Sequence, residues 1–164
     1  MKRLILMRHA KSDWSERGAE DHDRVLNARG RESATALGNW LRVKKFLPDE
    51  VRCSSSARTR ETLDRLGLPD VTEVHFSRAL YLAEAEDMLP ELRRAEGDVV
   101  LMLGHNPGIA DFAARLLSDP PYDEKFQRYP TGATLVVDFD EAEWASVDWE
   151  TGRMRELVVP RDLI

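Results

Sequence analysis

The residues best suited to chemistry in this chain lie in three short stretches: "RHAKSDW" from Arg8, "SSSARTRET" from Ser54 and "GHNPG" from Gly104. Each follows a segment that reads as a strand. Together they offer two histidines, His9 and His105, and, among their arginines, Arg8 and Arg58. An arginine presents a planar fork of donors that pairs bidentately with phosphoryl oxygens and does not lose its charge. A neutral histidine among such groups can attack phosphorus, giving a phosphoimidazole that water then hydrolyses. Surrounding positive charge lowers the histidine's pKa and keeps it unprotonated near neutral pH. A second histidine can stabilise the equatorial oxygens of the transition state. The chemistry these residues suit is phosphoryl transfer, provided the fold brings them together.

The elements that must do so are readable in outline. Residues 2–7 form an apolar strand. Asn27 caps a helix to about Phe46, with Ala34, Leu37, Trp40 and Leu41 on its apolar side. Val51 to Ser54 is a second strand, and Ser55 and Ser56 open a helix that ends at Leu66-Gly67, with Pro69 beyond. Residues 71–76 read as a third strand, and 85–95 as a helix that Pro90 should kink or start. Val99 to Leu103 is a continuous apolar run, as for a strand covered on both faces. After a turn at 104–107, Ile109, Phe112, Ala113 and Leu116 share one helical face. "ATLVVDF" and "MRELVV" are two further strands, paired with each other at an edge. Alternating strands and helices predict an α/β fold: one three-layer domain over residues 1–164, with a largely parallel central sheet flanked by helices. In such folds ligands bind beyond the carboxyl ends of the strands, where all three stretches lie. The helix N-termini after Ser55 and Pro107 would add backbone N–H groups there.

Bulk properties narrow the function classes. The chain has 164 residues, 42% hydrophobic and 33% charged, as expected of a globular domain. No apolar run approaches the roughly 20 residues of a membrane helix, and a strand begins too early for a signal peptide. The single cysteine, Cys53, excludes an internal disulfide and suits a reducing cytoplasm. A net charge of −6 argues against a nucleic-acid surface but leaves room for a small positive pocket.

Here the motifs form a pattern. "RHAKSDWS" is similar to the R-H-G-E-S-x-W-N signature of the histidine phosphatase superfamily. "SSSARTRET" resembles that family's second motif, and "GHNPG" its third, around the second histidine. The order matches. "DRVLNARG", "LYLAEAED" and "GHNPGI", with the short length, look most like the SixA group of phosphohistidine phosphatases. The resemblance implies a phosphoglycerate mutase-like fold and a metal-independent, cofactor-free phosphatase. His9 would be the nucleophile, Arg8 and Arg58 the phosphoryl clamp, and His105 the second catalytic histidine. Ser12 and Ser15 would line the pocket rim, with Asn106 near the phosphate. The implied partner is a phosphorylated protein, such as a histidine phosphotransfer domain, with phosphate or another anion in the pocket.

Departures from the family pattern include Ala10, which replaces its glycine, and Ser15, which replaces its common asparagine. Members acting on phosphate esters carry a carboxylic acid to protonate the leaving alkoxide, and Glu84 in "LYLAEAED" is the candidate here, or else a helix cap. His22, in the polar "GAEDHDR", is expected to be solvated, and His75 to lie on a strand surface. Cys53 is expected in the core, Trp144 and Trp149 to pack at the C-terminal strands, and Arg60 and Arg65 to be exposed. Two other readings stay open: a broad phosphomonoesterase, and a phosphohistidine-binding or phosphocarrier module without net hydrolysis.

Overall fold

The computed structural model describes residues 1–69 and 73–164. Its centre is a six-stranded sheet of β1 (Lys2–Arg8), β2 (Glu50–Ser54), β3 (Glu73–Ser77), β4 (Val99–Gly104), β5 (Thr134–Phe139) and β6 (Arg153–Val158). The spatial order is β3-β2-β4-β1-β5-β6. The first four strands are mutually parallel, and β5 runs antiparallel to both β1 and β6. The two C-terminal strands do pair, but only β6 is an edge; β5 is inserted beside β1.

Side chains alternate across the sheet and define three layers. Leu4 and Leu6 of β1 face one cluster, while Ile5 and Met7 face the other. The second cluster receives Leu37 and Leu41 of α1 (Ala28–Lys44) and Leu66 of α2 (Ala57–Leu66). The first receives Met88 and Leu92 of α3 (Ala85–Arg93), Ile109 and Phe112 of α4 (Gly108–Leu116) and Phe126 of α5 (Glu124–Arg128). β1 and β4 are central and covered on both faces, which is why their sequences are unbroken apolar runs. Truncating one such residue, as in Leu101→Ala, should cost about 2–5 kcal/mol.

Local signals act as read, with shifted boundaries. Asn27 Oδ1 accepts from Gly30 N–H at 2.8 Å and starts α1. That helix stops at Lys44, short of Phe46, because Lys45 turns left-handed (φ 61°). β3 begins at Glu73; residues 71 and 72 of the predicted strand lie outside the described residues. Pro90 sits inside α3 without ending it, and the buried Met88, Leu89 and Leu92 around it hold the helix to the core. Trp144 and Trp149 lie in the connection between β5 and β6; Trp144 is buried against Phe139, and Trp149 packs edge-on to Phe112. Cys53 is a core residue whose thiol burial pushes up to about 12. His75, Arg60 and Arg65 are exposed. Among the described residues, no helix is long and apolar enough to cross a membrane.

Candidate active site

Strand register puts the two histidines side by side. Arg8 pairs with Gly104 in the β1–β4 ladder, and His9 N–H donates to the Gly104 carbonyl at 3.2 Å. His9 and His105 therefore leave neighbouring strands together, their ring centroids 5.3 Å apart. On the far side of β4, β2 ends at Ser54, whose Oγ is 2.7 Å from His105 Nε2. Ser56 then caps α2 and is joined to Thr59 through their hydroxyls at 2.7 Å, so Arg58 emerges in the first turn. Thr62 locks this helix to the nucleophile loop: its hydroxyl donates to Arg58 O at 2.7 Å and accepts from Ala10 N–H at 3.0 Å.

These residues line a cleft of about 400 Å³ together with Lys11, Ser12, Trp14, Asp21, Leu82, Asn106 and Thr131. His9 is buried in it. Its Nδ1 lies 2.7 Å from the Ala10 carbonyl, which can only accept, so Nδ1 carries the proton. Arg58 Nε lies 3.4 Å from His9 Nε2 and can only donate, so Nε2 is unprotonated and its lone pair accepts from Arg58. Burial lowers the His9 pKa to about 4, outweighing the Ala10 hydrogen bond, and Arg8 and Arg58 add to the lowering. Burial again, then His9 and Arg58, takes His105 to about 3. Desolvation is thus the leading cause, ahead of the positive charges that the sequence suggested.

Arg58 is held by Asp21. Its Nη1 donates to the Asp21 carbonyl at 2.7 Å and its Nη2 to Asp21 Oδ2 at 3.0 Å. Asp21 Oδ2 also accepts a short hydrogen bond from the Tyr81 hydroxyl. That bond, with Arg58, holds the Asp21 carboxyl below its usual range. Arg8 Nη1 and Asn106 Nδ2 both donate to the Tyr129 carbonyl, at 3.2 and 3.0 Å. Among the described residues, four side-chain polar atoms are buried without a partner: Arg8 Nε, His105 Nδ1, Asn106 Oδ1 and Arg24 Nε. The first three belong to cleft residues. Leaving a buried polar group unpaired costs about 1–3 kcal/mol, so their concentration here marks a place for a polar ligand.

The structure brings together His9, Arg8, Arg58, His105, Ser12 and Asn106. Ser12 is buried, and its Oγ accepts from Trp14 Nε1 at 2.9 Å. Ser15 is not brought in: it is exposed, and its N–H donates to Asp13 Oδ1. Glu84 is likewise exposed and outside the cleft lining; it caps α3 in a capping box with Asp87. His22 is not simply solvated. It is half-buried, 2.8 Å from Ser55 Oγ through Nε2, and edge-on to Tyr81 at 4.7 Å. The first residues of α2 and α4 do not line the cleft; α2 contributes the Arg58 side chain instead. Reading the sequence missed Asp21, Tyr81, Lys11 and Thr131. Only the acidic "EDHD" run hinted at Asp21, and such runs are usually solvated.

The pattern of the histidine phosphatase superfamily (branch 1) matches residues 4–81. A protein of Mycobacterium leprae with no assigned function is 30% identical over 164 residues, covering 94% of this chain and all of that one. A Nakamurella multipartitia structure assigned to the SixA phosphohistidine phosphatases is similar at TM-score 0.85 and 29% identity, covering 97% of this chain and 96% of that one. The protein histidine phosphatase SixA complexed with tungstate has the same fold at TM-score 0.79 and 22% identity, covering 99% of each chain.

Proposed function

Because this chain belongs to the histidine phosphatase superfamily, we propose that it is a metal-independent phosphatase acting on protein-borne phosphohistidine through a phospho-His9 intermediate. The observation that carries this reading is the state of His9: neutral, with its proton fixed on Nδ1 and the Nε2 lone pair facing the Arg58 guanidinium.

In the first step the Nε2 lone pair forms a bond to phosphorus while the P–N bond of the substrate breaks. Arg8 and Arg58 neutralise the phosphoryl oxygens throughout. With Ser54 donating to His105 Nε2, the His105 proton sits on the orphan Nδ1, a neutral donor for an equatorial oxygen. The substrate ring enters as phosphoimidazolium, protonated on its other nitrogen, and so takes the P–N electron pair and departs as neutral imidazole. In the second step water attacks phospho-His9, phosphate leaves, and Nε2 regains its lone pair. The tungstate of the similar SixA structure is in keeping with an oxyanion as occupant.

The phosphoramidate reading is favoured over the ester one by Asp21, the carboxylate in the cleft. It is held ionised by Tyr81 and Arg58, whereas protonating an alkoxide needs a carboxylic acid. An imidazole that already carries its ring proton leaves neutral and needs less help. The carrier reading is disfavoured by the burial of His9, since a carrier must present its phosphohistidine to partners. The experiment compares single-turnover phosphate release from a phosphohistidine peptide and from p-nitrophenyl phosphate, in EDTA, by wild type and His9→Ala. Faster release from the peptide, abolished in His9→Ala, is expected. Equal or better ester turnover would contradict the substrate assignment, and loss of activity in EDTA the metal-independent one.

A further inference from the structure

The catalytic cleft continues past His9. Lys11 and Thr131, which line it, also line an adjoining groove of about 370 Å³, bounded by the first turns of α1 and by the C-terminal segment from Val159. Three exposed cations stand in this groove: Lys11, Arg29 and Arg161. Among the described residues, none of the three has a carboxylate within 4.0 Å. In a chain with net charge −6, three unpaired cations in one groove are a local reversal of sign. Pro160, half-buried, supplies apolar surface in the groove, with the buried Val159 behind it.

Close backbone packing fixes the groove to the site. A Cβ on Gly30 would come within 2.1 Å of the Lys11 carbonyl, so α1 lies directly against the nucleophile loop. Gly132, at φ +76°, lies against Pro160, where a Cβ would approach to 2.5 Å. Its N–H donates to the His9 carbonyl at 2.9 Å. The wall at Thr131 is therefore tied, through its neighbour Gly132, to the backbone of His9 itself.

We propose that this groove receives an acidic stretch of the polypeptide that bears the phosphorylated side chain, and so selects acidic protein substrates over small phosphate compounds. The assignment rests on the phosphatase reading and adds the character of its substrate. A phosphoryl group seated at His9 leaves the flanking chain beside Lys11 and Thr131, and from there the groove is the continuous cavity. Carboxylates on that segment meet the three cations, and an apolar side chain meets Pro160. Exposed charges of this kind act mainly through encounter and orientation, and salt screens them.

The test uses two fluorescent peptides with one unphosphorylated histidine, flanked by Asp and Glu in one and by Asn and Gln in the other. Binding is read by anisotropy at low salt, for wild type and for Arg29→Glu/Arg161→Glu. The acidic peptide should bind wild type about tenfold more tightly than the neutral one, and charge reversal should remove the preference. The variant should hydrolyse p-nitrophenyl phosphate like wild type, showing an intact cleft; should it misfold, Arg29→Gln/Arg161→Gln is expected to lose part of the preference. Equal affinity for both peptides, or a preference that survives charge reversal, would overturn the proposal. Absence of hydrolysis from any phosphorylated compound, with the acidic preference still dependent on Arg29 and Arg161, would remove the phosphatase reading and leave the groove assignment standing.

Discussion

Two buried arginines, six residues apart, meet opposite treatment. Arg52 lies on β2, and Glu50 pairs with it at 2.8 Å and Glu91 at 3.6 Å. A further bond from Arg52 Nη2 goes to the Arg94 carbonyl at 3.1 Å. Glu50 in turn accepts the backbone N–H groups of Glu96 and Gly97, so that end of the sheet is closed by its own charges. Arg58, at the other end, has one carboxylate partner and turns its Nε to an uncharged histidine. Beside it, Arg8 has, among the described residues, no carboxylate within 4.0 Å and a buried Nε without a partner. The same side chain is thus a structural tie where two carboxylates meet it, and part of a binding site where the positive charge is left in excess.

Substitution should separate the two arginines. Arg58→Ala should cost roughly 2–5 kcal/mol of transition-state stabilisation, read as kcat/KM, with a much smaller effect on unfolding. A loss below tenfold would place Arg58 outside the reaction. Arg52→Ala should do the reverse, lowering stability by about 3 kcal/mol in urea denaturation because Glu50 and Glu91 lose their counter-charge, with kcat nearly unchanged in the folded fraction. Equal losses of activity in the two variants would erase the distinction.

The histidines sharpen it further. His9 and His105, at about 4 and about 3, are neutral in the folded state, against about 6.5 when unfolded. Above pH 6.5 neither state is protonated. Below it the unfolded chain takes up protons that the folded chain refuses, so stability present above pH 6.5 is lost as the pH falls towards 4. The loss amounts to as much as ~3 kcal/mol per histidine. Denaturant titrations at pH 7 and pH 4.5 should show it, and His9→Asn should reduce it. The kcat/KM of the free enzyme should likewise hold down to about pH 5 and fall below it; a fall centred near 6.5 would mean that His9 is not desolvated. The smallest effect is expected for Asp21→Asn, which keeps an acceptor for Arg58 but removes the charge: about a tenfold drop in kcat/KM, equal for ester and phosphohistidine. An ester-specific loss would make Asp21 a general acid.

What could be read in advance followed from local causes. The apolar runs of β1 and β4 and the Asn27 and Ser56 caps are set by residues close in sequence, and parallel strands then place Arg8, His9, Arg58 and His105 at one edge. Asp21 and Tyr81 were not legible because they meet only in the fold, 60 residues apart in sequence, where both reach the Arg58 guanidinium in the first turn of α2. Glu84, which the sequence left open between acid and cap, lies at the N-cap of α3, where its N–H donates to Asp87 Oδ2. The inversion of β5 beside β1 depends on a long-range pairing that no turn signal announces. Lys11, Arg29 and Arg161 look like ordinary surface cations until the fold puts them in one groove.

The most direct test of the central claim is rapid quench of wild type with a phosphohistidine peptide under alkaline conditions, followed by mass spectrometry of the protein. An acid-labile phosphoryl group on His9 that forms and decays as phosphate appears, and is absent in His9→Ala, is the predicted result. Phosphate release at full rate without any such species, or undiminished release by His9→Ala, would contradict it.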